Sequence, residues 1–220
     1  MSRLFGANHR TLQDQHDTRR IADAIESIAV HEELSDMDTA FLQSRDMFFL
    51  STIDQDGRPT VSYKGGDPGF VKVVDSKTIA FPLFDGNGMW YSAGNVVGNA
   101  KVGMLFIDFV TPNRLRVQGE ASVDPNDPLL MEFFEAQVVV RVKVTHVWPN
   151  CPRYVHRHTK VAASRYVPRA ECATPLAGWK RIDLVQDALP GKDQGRAEKE
   201  GGLVTIEEWF GKVGTGAEDA

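Results

Sequence analysis

The feature that most constrains this chain is a series of strand-like runs joined by loops too short for anything but hairpins. Phe48 to Ile53 and Pro59 to Lys64 flank Asp54-Gln55-Asp56-Gly57; Phe70 to Val74 and Thr78 to Phe84 flank Asp75-Ser76-Lys77; Val102 to Phe109 and Arg114 to Val123 flank the turn at Thr111-Pro112-Asn113. Short loops rich in Asp, Asn, Gly and Pro join antiparallel neighbours, whereas parallel neighbours need a crossover of about a dozen residues. A further run, Val138 to Trp148, sets Val140, Val142 and Val144 against Arg141 and Lys143, which gives one apolar and one wet face. Six or more antiparallel strands of this length close into a barrel to remove exposed edges. The expected class is mainly β, an antiparallel barrel with flanking helices around one core.

The helices are read from spacing and start signals. Ile21, Ile25 and Ile28 within residues 11–30 predict one exposed amphipathic helix, with Thr11 and Asp14 as its capping pair. Ser35-Asp36-Met37-Asp38 starts a second, whose Met37, Ala40 and Phe41 share a face and which ends near Arg45. Asp85-Gly86-Asn87-Gly88 enters a short helix between residues 89 and 99, and Asp127-Pro128 caps another that turns Leu130, Phe133 and Phe134 inward. Beyond Arg165 the pattern weakens, and residues 189–202 predict a loop before a short helix around Ile206 to Phe210.

Charge and cysteine content exclude several classes. The 220 residues hold 25 Lys+Arg against 30 Asp+Glu, a net charge of -5, so no global basic field exists to hold a nucleic-acid backbone. The longest apolar stretches, Phe48-Phe49-Leu50 and Val138-Val139-Val140, are too short to cross a bilayer, so no membrane insertion is expected. Cys151 and Cys172 cannot form a disulfide framework, and Met1 to Asp17 lack the apolar run of a signal peptide. The expected compartment is the cytoplasm.

The familiar catalytic motifs, G-x-S-x-G, the phosphate-binding G-x-x-x-x-G-K-[ST], H-E-x-x-H and the dinucleotide fingerprint, do not occur in the chain. Two polar sets point to an anion instead. Ser62 and Lys64 alternate with Val61 and Tyr63, while Arg114, Arg116 and Gln118 alternate with Leu115, Val117 and Gly119. Arginines at alternate strand positions either hold a phosphate through their fixed donor fork or decorate a solvated face. Asn87-Gly88, Ser92 and Asn95 surround a helix start, where free N–H groups favour an anion, although ordinary capping explains the same residues.

His146, Cys151, His156 and His158 fall within 13 residues, but their spacing fits no zinc pattern, and no metal is expected. A nucleophile pair of Cys151 with His146 or His156 lacks a third orienting group. A structural cysteine in the bend before Pro152 is the plainer account.

The order of the pieces resembles the pyridoxamine 5'-phosphate oxidase-like flavoproteins. The likeness is carried by Phe49-Leu50-Ser51-Thr52-Ile53-Asp54-Gln55-Asp56-Gly57-Arg58-Pro59 with Ser62-Tyr63-Lys64-Gly65-Gly66, by Asn99 to Phe106, by Asn113 to Ala121, and by Asn150-Cys151-Pro152-Arg153-Tyr154, over about residues 35–160. The resemblance implies an FMN-binding split barrel that forms a homodimer with FMN at the subunit interface. It implies a helical extension over residues 1–34, a flavin-binding domain over 35–165 and a C-terminal extension over 166–220 packing on the barrel.

By position, Ser62, Tyr63 and Lys64 match the strand along the flavin, Ser92 and Asn95 the helix near its phosphate, and Arg114 with Arg116 the strand after the next hairpin. The Asn87-Gly88 turn joins this set, and Lys64, Arg114 and Arg116 supply the phosphate's counter-charge. Two departures matter. Met89-Trp90-Tyr91 stands where the oxidases carry basic residues, and Thr205 to Gly211 lacks their Arg-x-His substrate segment, so vitamin B6 oxidation is not expected. The implied activity is that of an FMN-dependent oxidoreductase acting on a small molecule, with NAD(P)H a candidate donor. The alternatives are a non-catalytic flavin- or haem-binding sensor or storage module and a deazaflavin-dependent reductase.

Overall fold

Alternation in the first hairpin decides which side of the sheet becomes the core. Strand β1 (Met47–Ile53) buries Phe48, Leu50 and Thr52 and pairs antiparallel with β2 (Pro59–Gly65), so that Phe48 lies opposite Lys64, Leu50 opposite Ser62 and Thr52 opposite Thr60. Directly paired residues share a face. The turn is set by the Asp54 carboxylate, which accepts the N–H groups of Asp56 and Arg58 at 3.0 and 2.8 Å, and by Gly57 at φ 78°, in the left-handed region that glycine tolerates.

The structure is a computed structural model that describes residues 2–220 and divides into two units, Met1–Val161 and Ala162–Ala220. The first unit adds β3 (Lys72–Asp75), β4 (Thr78–Leu83), β5 (Lys101–Asp108), β6 (Asn113–Asp124) and β7 (Val138–Asn150). All pairings are antiparallel, in the order β2-β1-β5-β6-β7-β4-β3. Although β1 and β4 are four places apart in that order, the Phe48 ring lies 5.0 Å from Phe81 of β4, edge to face, and 4.9 Å from Phe106 of β5. The sheet therefore curls round one core, in which Phe48, Leu50, Ile79, Phe81, Met104, Phe106, Val117, Val142 and Val147 are buried together. Among the described residues no ladder joins the terminal strands β2 and β3, which makes this a split barrel, as the sequence predicts.

The flanking helices differ from expectation in detail. The single helix expected over residues 11–30 is two, α1 (Ala7–Gln15) and α2 (Arg19–Ala29). The break falls at Asp17, held at φ 49°, and Arg19 reaches back across it to pair with Asp14 at 2.5 Å. Asp14 therefore does not cap with Thr11, whose hydroxyl donates to the Ala7 carbonyl.

The third helix, α3 (Asp36–Gln43), has the expected start, a reciprocal cap between Ser35 and Asp38. It buries Leu42, however, and leaves Met37 83% exposed, because contact with the barrel comes through its last turn. The segment after Asp127-Pro128 is a 3-10 turn over Pro128–Glu132, and it buries Phe133 but not Phe134. Helix α4 (Tyr91–Gly98) packs its Ala93 and Val96 inward, against β1 and β6.

The second unit contains 3-10 turns at Gly178–Arg181 and Asp183–Ala188, a short helix α5 (Arg196–Lys199) within the expected loop over 189–202, and α6 (Ile206–Thr215). Its interior combines buried apolar residues, Leu176, Ile182, Leu189 and Ala197, with buried charge: Lys180 and Asp193, both buried, pair at 2.7 Å, and Arg181 donates to the carbonyls of Gly201 and Gly202. Among the described residues no helix is long and apolar enough to cross a membrane.

The long β6–β7 ladder turns at a bulge beside Gly119, where the two backbones approach closely. A Cβ on Gly119 would lie 2.5 Å from the Lys143 carbonyl oxygen and 2.6 Å from a Val142 methyl. Gly119→Ala is expected to destabilise the protein by about 1–3 kcal/mol, read as a lowered denaturant midpoint. An unchanged midpoint would mean that the bulge yields freely.

Candidate functional site

Because β2 is a terminal strand, nothing in the sheet covers its inward face beyond β1, and that face is polar. Thr60, Ser62 and Lys64 occupy it by alternation, and helix α4 lies alongside. Four of the residues singled out in the sequence meet here. Lys64 Nζ donates to Ser92 Oγ at 3.4 Å, Ser92 Oγ donates to Ser62 Oγ at 3.1 Å, and Ser62 Oγ donates to the Leu50 carbonyl at 3.4 Å. Asn95, one turn further along α4, gives its amide to Thr52 Oγ1 at 3.0 Å and Thr60 Oγ1 at 3.4 Å, and the two threonine hydroxyls lie 2.9 Å apart.

The two ends of this cluster differ in chemistry. The Asn95 end is closed: Thr52 is buried and the amide is consumed in fastening α4 to the first hairpin. The Lys64 end is open. Lys64 is half-buried, and burial pushes its ammonium below the ordinary lysine value. Among the described residues it has no carboxylate partner, and one of its three protons meets Ser92.

Beside it α4 begins at Trp90, held at φ 50°. The Gly94 N–H reaches the Trp90 carbonyl at 2.7 Å, so the N–H groups of Tyr91, Ser92 and Ala93 precede the first intrahelical bond and face outward. A desolvated cation, two serine hydroxyls and a helix start form a donor set suited to a dianion such as a phosphate monoester.

The other predicted residues lie elsewhere. Tyr63 projects from the outer face of β2, 62% exposed beside Val61. Partial burial, then the Asp46 carboxylate, raises its phenol above the usual value, with Lys160 acting the other way. Arg116 pairs in register with Leu105, and Leu105 with Phe49, which pairs with Tyr63. Arg116 is therefore on the outer face, as is Arg114 two residues before it, while Leu115 and Val117 fill the core.

Three strand spacings, about 14 Å, and the sheet itself separate these arginines from Lys64. Within one chain Lys64, Arg114 and Arg116 do not close on one phosphate. Asn87 and Gly88 lie in the exposed turn before α4, where the Asn87 side chain accepts the Met89 N–H at 3.1 Å and Gly88 sits at φ 75°. Sequence reasoning missed Thr52 and Thr60, although counting outward from Phe48 and Lys64 by twos reaches both.

The fold defines an antiparallel split barrel with a polar, cationic recess where α4 meets its first hairpin. The chain belongs to the pyridoxamine 5'-phosphate oxidase family, whose model matches residues 34–159. Among solved structures it is similar to a candidate pyridoxamine 5'-phosphate oxidase from Lactobacillus delbrueckii (23% identity, 54% of this chain and 95% of that one, TM-score 0.44). It is also similar to HupZ from Group A Streptococcus (15%, 57% and 100%, 0.44). A third is an FMN-binding protein from Syntrophomonas wolfei (12%, 64% and 97%, 0.37). No curated protein matches it.

Two substitutions separate the ends of the recess. Asn95→Ala leaves Thr52 and Thr60 with only each other and is expected to cost about 1–2 kcal/mol of stability. Lys64→Met removes a charge whose burial is uncompensated and is expected to leave the unfolding midpoint of the ligand-free protein unchanged or higher.

The same logic gives a pH dependence. The folded-state value of Lys64 lies below its unfolded value, so the unfolded chain holds more protons in that window. The contribution of Lys64 to stability is unfavourable at neutral pH and becomes less so as pH rises through the folded value towards the unfolded one. A Lys64→Met protein that loses stability, or the absence of any Lys64-dependent difference in the alkaline limb, would contradict this.

Proposed function

We propose that this protein is an FMN-dependent oxidoreductase of small molecules, with the flavin phosphate held at the Lys64 recess. The observation that carries the reading is the half-buried Lys64 without a carboxylate partner, beside two serine hydroxyls and the start of α4. A ligand phosphate there restores the charge balance that burial removes. In this reading Lys64 supplies the counter-charge and Ser62 and Ser92 supply neutral hydrogen bonds. Asn95 keeps α4 in place, and the Asn87-Gly88 turn sets the entry of the chain into it.

Bound flavin would supply the electron transfer; the residues named here bind and orient. Nothing in the recess is poised as a general acid or base, since its one titratable group is consumed by phosphate. Met89 and Trp90 just before α4 and Tyr91 at its first position, all exposed, are the nearest large side chains in sequence to such a ligand and offer it an apolar border. NAD(P)H is the proposed electron donor, and cytoplasm the proposed compartment.

A homodimer belongs to the same proposal. On the outer face of β2, Val61 and Tyr63 are 68% and 62% exposed, beside Phe49 of β1. Such a strip on a terminal strand favours a partner. A second copy there would cover the β1–β2 end of the sheet. Light scattering at low micromolar concentration is expected to return twice the 24.4 kDa chain mass; a monomer that retains full FMN affinity would refute a site that needs two chains.

Charge should rank the contacts. Charge-assisted hydrogen bonds are worth about 1.5–3 kcal/mol against roughly 0.5–1.5 kcal/mol for neutral ones. Lys64→Ala is therefore expected to weaken FMN about tenfold to a hundredfold, and Ser92→Ala less. Riboflavin lacks the phosphate, so its affinity should hardly respond to either change. Equal loss for both flavins would remove the phosphate from this recess, and a protein that binds haem and no flavin would overturn the reading.

A further inference from the structure

Helix α2 is turned the opposite way from an ordinary surface helix, which buries its apolar stripe and gives its charges to water. Its buried residue is Glu26, 8% exposed, while Ile21, Ile25 and Ile28 are 56%, 54% and 77% exposed. Spacings of four and three residues put these isoleucines on one stripe, with exposed Ala24 among them. The start of the chain enforces this orientation. One Glu26 carboxylate oxygen accepts the Ser2 hydroxyl at 2.8 Å and the N–H groups of Arg3 and Leu4 at 2.7 and 2.8 Å, and the Arg3 guanidinium donates to the Glu26 carbonyl at 3.1 Å. This strap occupies the glutamate side of the helix and leaves the isoleucines outward.

The helix precedes the residues that match the family, 34–159, so the stripe is an addition of this chain to the barrel. It runs into the β7 half of the sheet: His31 exchanges backbone hydrogen bonds with Val147 of β7, both 2.9 Å, and the Leu34 N–H reaches the Ser76 carbonyl between β3 and β4 at 2.7 Å. The stripe shares no residue with the Val61 and Tyr63 strip on β2.

Charges at the two ends of α2 run against its dipole, which favours acids at the start and bases at the end. Arg19 and Arg20 open the helix, and Glu32 and Glu33 follow its end. Arg19 is answered by Asp14 at 2.5 Å and Glu33 by Lys77 at 3.0 Å. Arg20 has only Asp17 at 3.6 Å, with the two side chains 88% and 89% exposed, and Glu32 has no ion pair among the described residues. With Ser27, His31, Glu33 and Arg3, Glu32 lines an open cavity of about 620 Å³ beside the end of α2.

We propose that the isoleucine stripe of α2 is a docking surface for a second copy of this chain, paired antiparallel about a two-fold axis between Ala24 and Ile25. Antiparallel pairing makes the stripe self-complementary, as a two-fold contact requires: Ile21 of each copy meets Ile28 of the other. Arg20 is then opposite the copy's Ala29, within about one helical turn, roughly 5 Å, of its Glu32, and an arginine side chain spans that distance. Arg20 and Ser27 are seven residues apart and flank the stripe on one side, so Arg20 enters the cavity that the copy's Ser27 and Glu32 line. Arg3 opposes it there, against Glu32 and Glu33. Each copy gives the other the counter-charge that its own helix lacks, whereas a parallel pairing would set Arg20 on Arg20.

Each stripe offers on the order of a few hundred Å² of apolar surface, so the pair buries less than the roughly 1,200–2,000 Å² of a standard stable interface. The pairing is therefore weak and concentration-dependent. The test is sedimentation equilibrium of the full chain from low micromolar to several hundred micromolar. The weight-average mass is expected to rise about twofold from whatever value holds at the low end. Failure of the β2 homodimer would change the starting mass, and failure of this proposal would remove the rise.

Ile25→Glu places a charge on the stripe and should weaken the association about tenfold or more, with the unfolding midpoint at low concentration and the FMN affinity unchanged. Arg20→Glu and Glu32→Arg should each weaken it about threefold to tenfold, and the double swap Arg20→Glu with Glu32→Arg should recover most of the loss. A mass that does not rise, a rise indifferent to Ile25→Glu, or charge swaps without mutual rescue would each overturn the proposal. Ile25-dependent binding to phosphatidylglycerol vesicles without self-association would also overturn it, by giving the stripe to a lipid surface.

Discussion

The structure depends on the packing of Phe48 against Phe81 and Phe106 across the interior of the barrel. Hydrogen-bonded pairing orders the strands, but pairing alone leaves an open ribbon with β1 and β4 far apart. Closing the ribbon buries three aromatic rings, each fully withdrawn from water, at roughly 25 cal/mol per Å² of apolar surface. Edge-to-face geometry between Phe48 and Phe81 adds to that burial. Everything on the first hairpin is then fixed in space, because Phe48 faces the core and its register partner is Lys64.

That pairing also explains how a charged residue comes to be partly desolvated. Along β1 the inward positions run Phe48, Leu50, Thr52, and along β2 they run Lys64, Ser62, Thr60, so polarity increases on passing from a strand with two neighbours to a strand with one. Helix α4 covers the step, with Val96 in the core and Asn95 on the threonines. The ammonium is left where water is partly excluded and no carboxylate answers it, an arrangement that costs stability in isolation and stabilises an anion when one binds.

The strands were legible because alternation and turn chemistry agree at each hairpin: Asp54 and Gly57 are turn residues for conformational reasons, and Val140, Val142 and Val144 are inward for burial. The break between α1 and α2 was not, since it rests on Asp17 in a left-handed conformation with Arg19 pairing back to Asp14, whereas the isoleucine spacing alone continues through it. The face of α3 was misread because helical spacing cannot say which turn meets the barrel, and Leu42 rather than Met37 does.

The recess was half legible. Alternation placed Ser62 with Lys64, and the helix start brought in Ser92 and Asn95. That Arg114 and Arg116 stand on the other face required the register from β6 through β5 and β1 to β2, which no single strand contains.

The central claim is that the inward face of β2, and not the arginine-bearing outer face, receives a flavin phosphate. A crystal structure of the protein soaked with FMN tests it most directly. The phosphate is predicted to lie within hydrogen-bond distance of Lys64 Nζ and Ser92 Oγ, at the start of α4. A phosphate found instead on Arg114 and Arg116, with Lys64 untouched, would contradict the account.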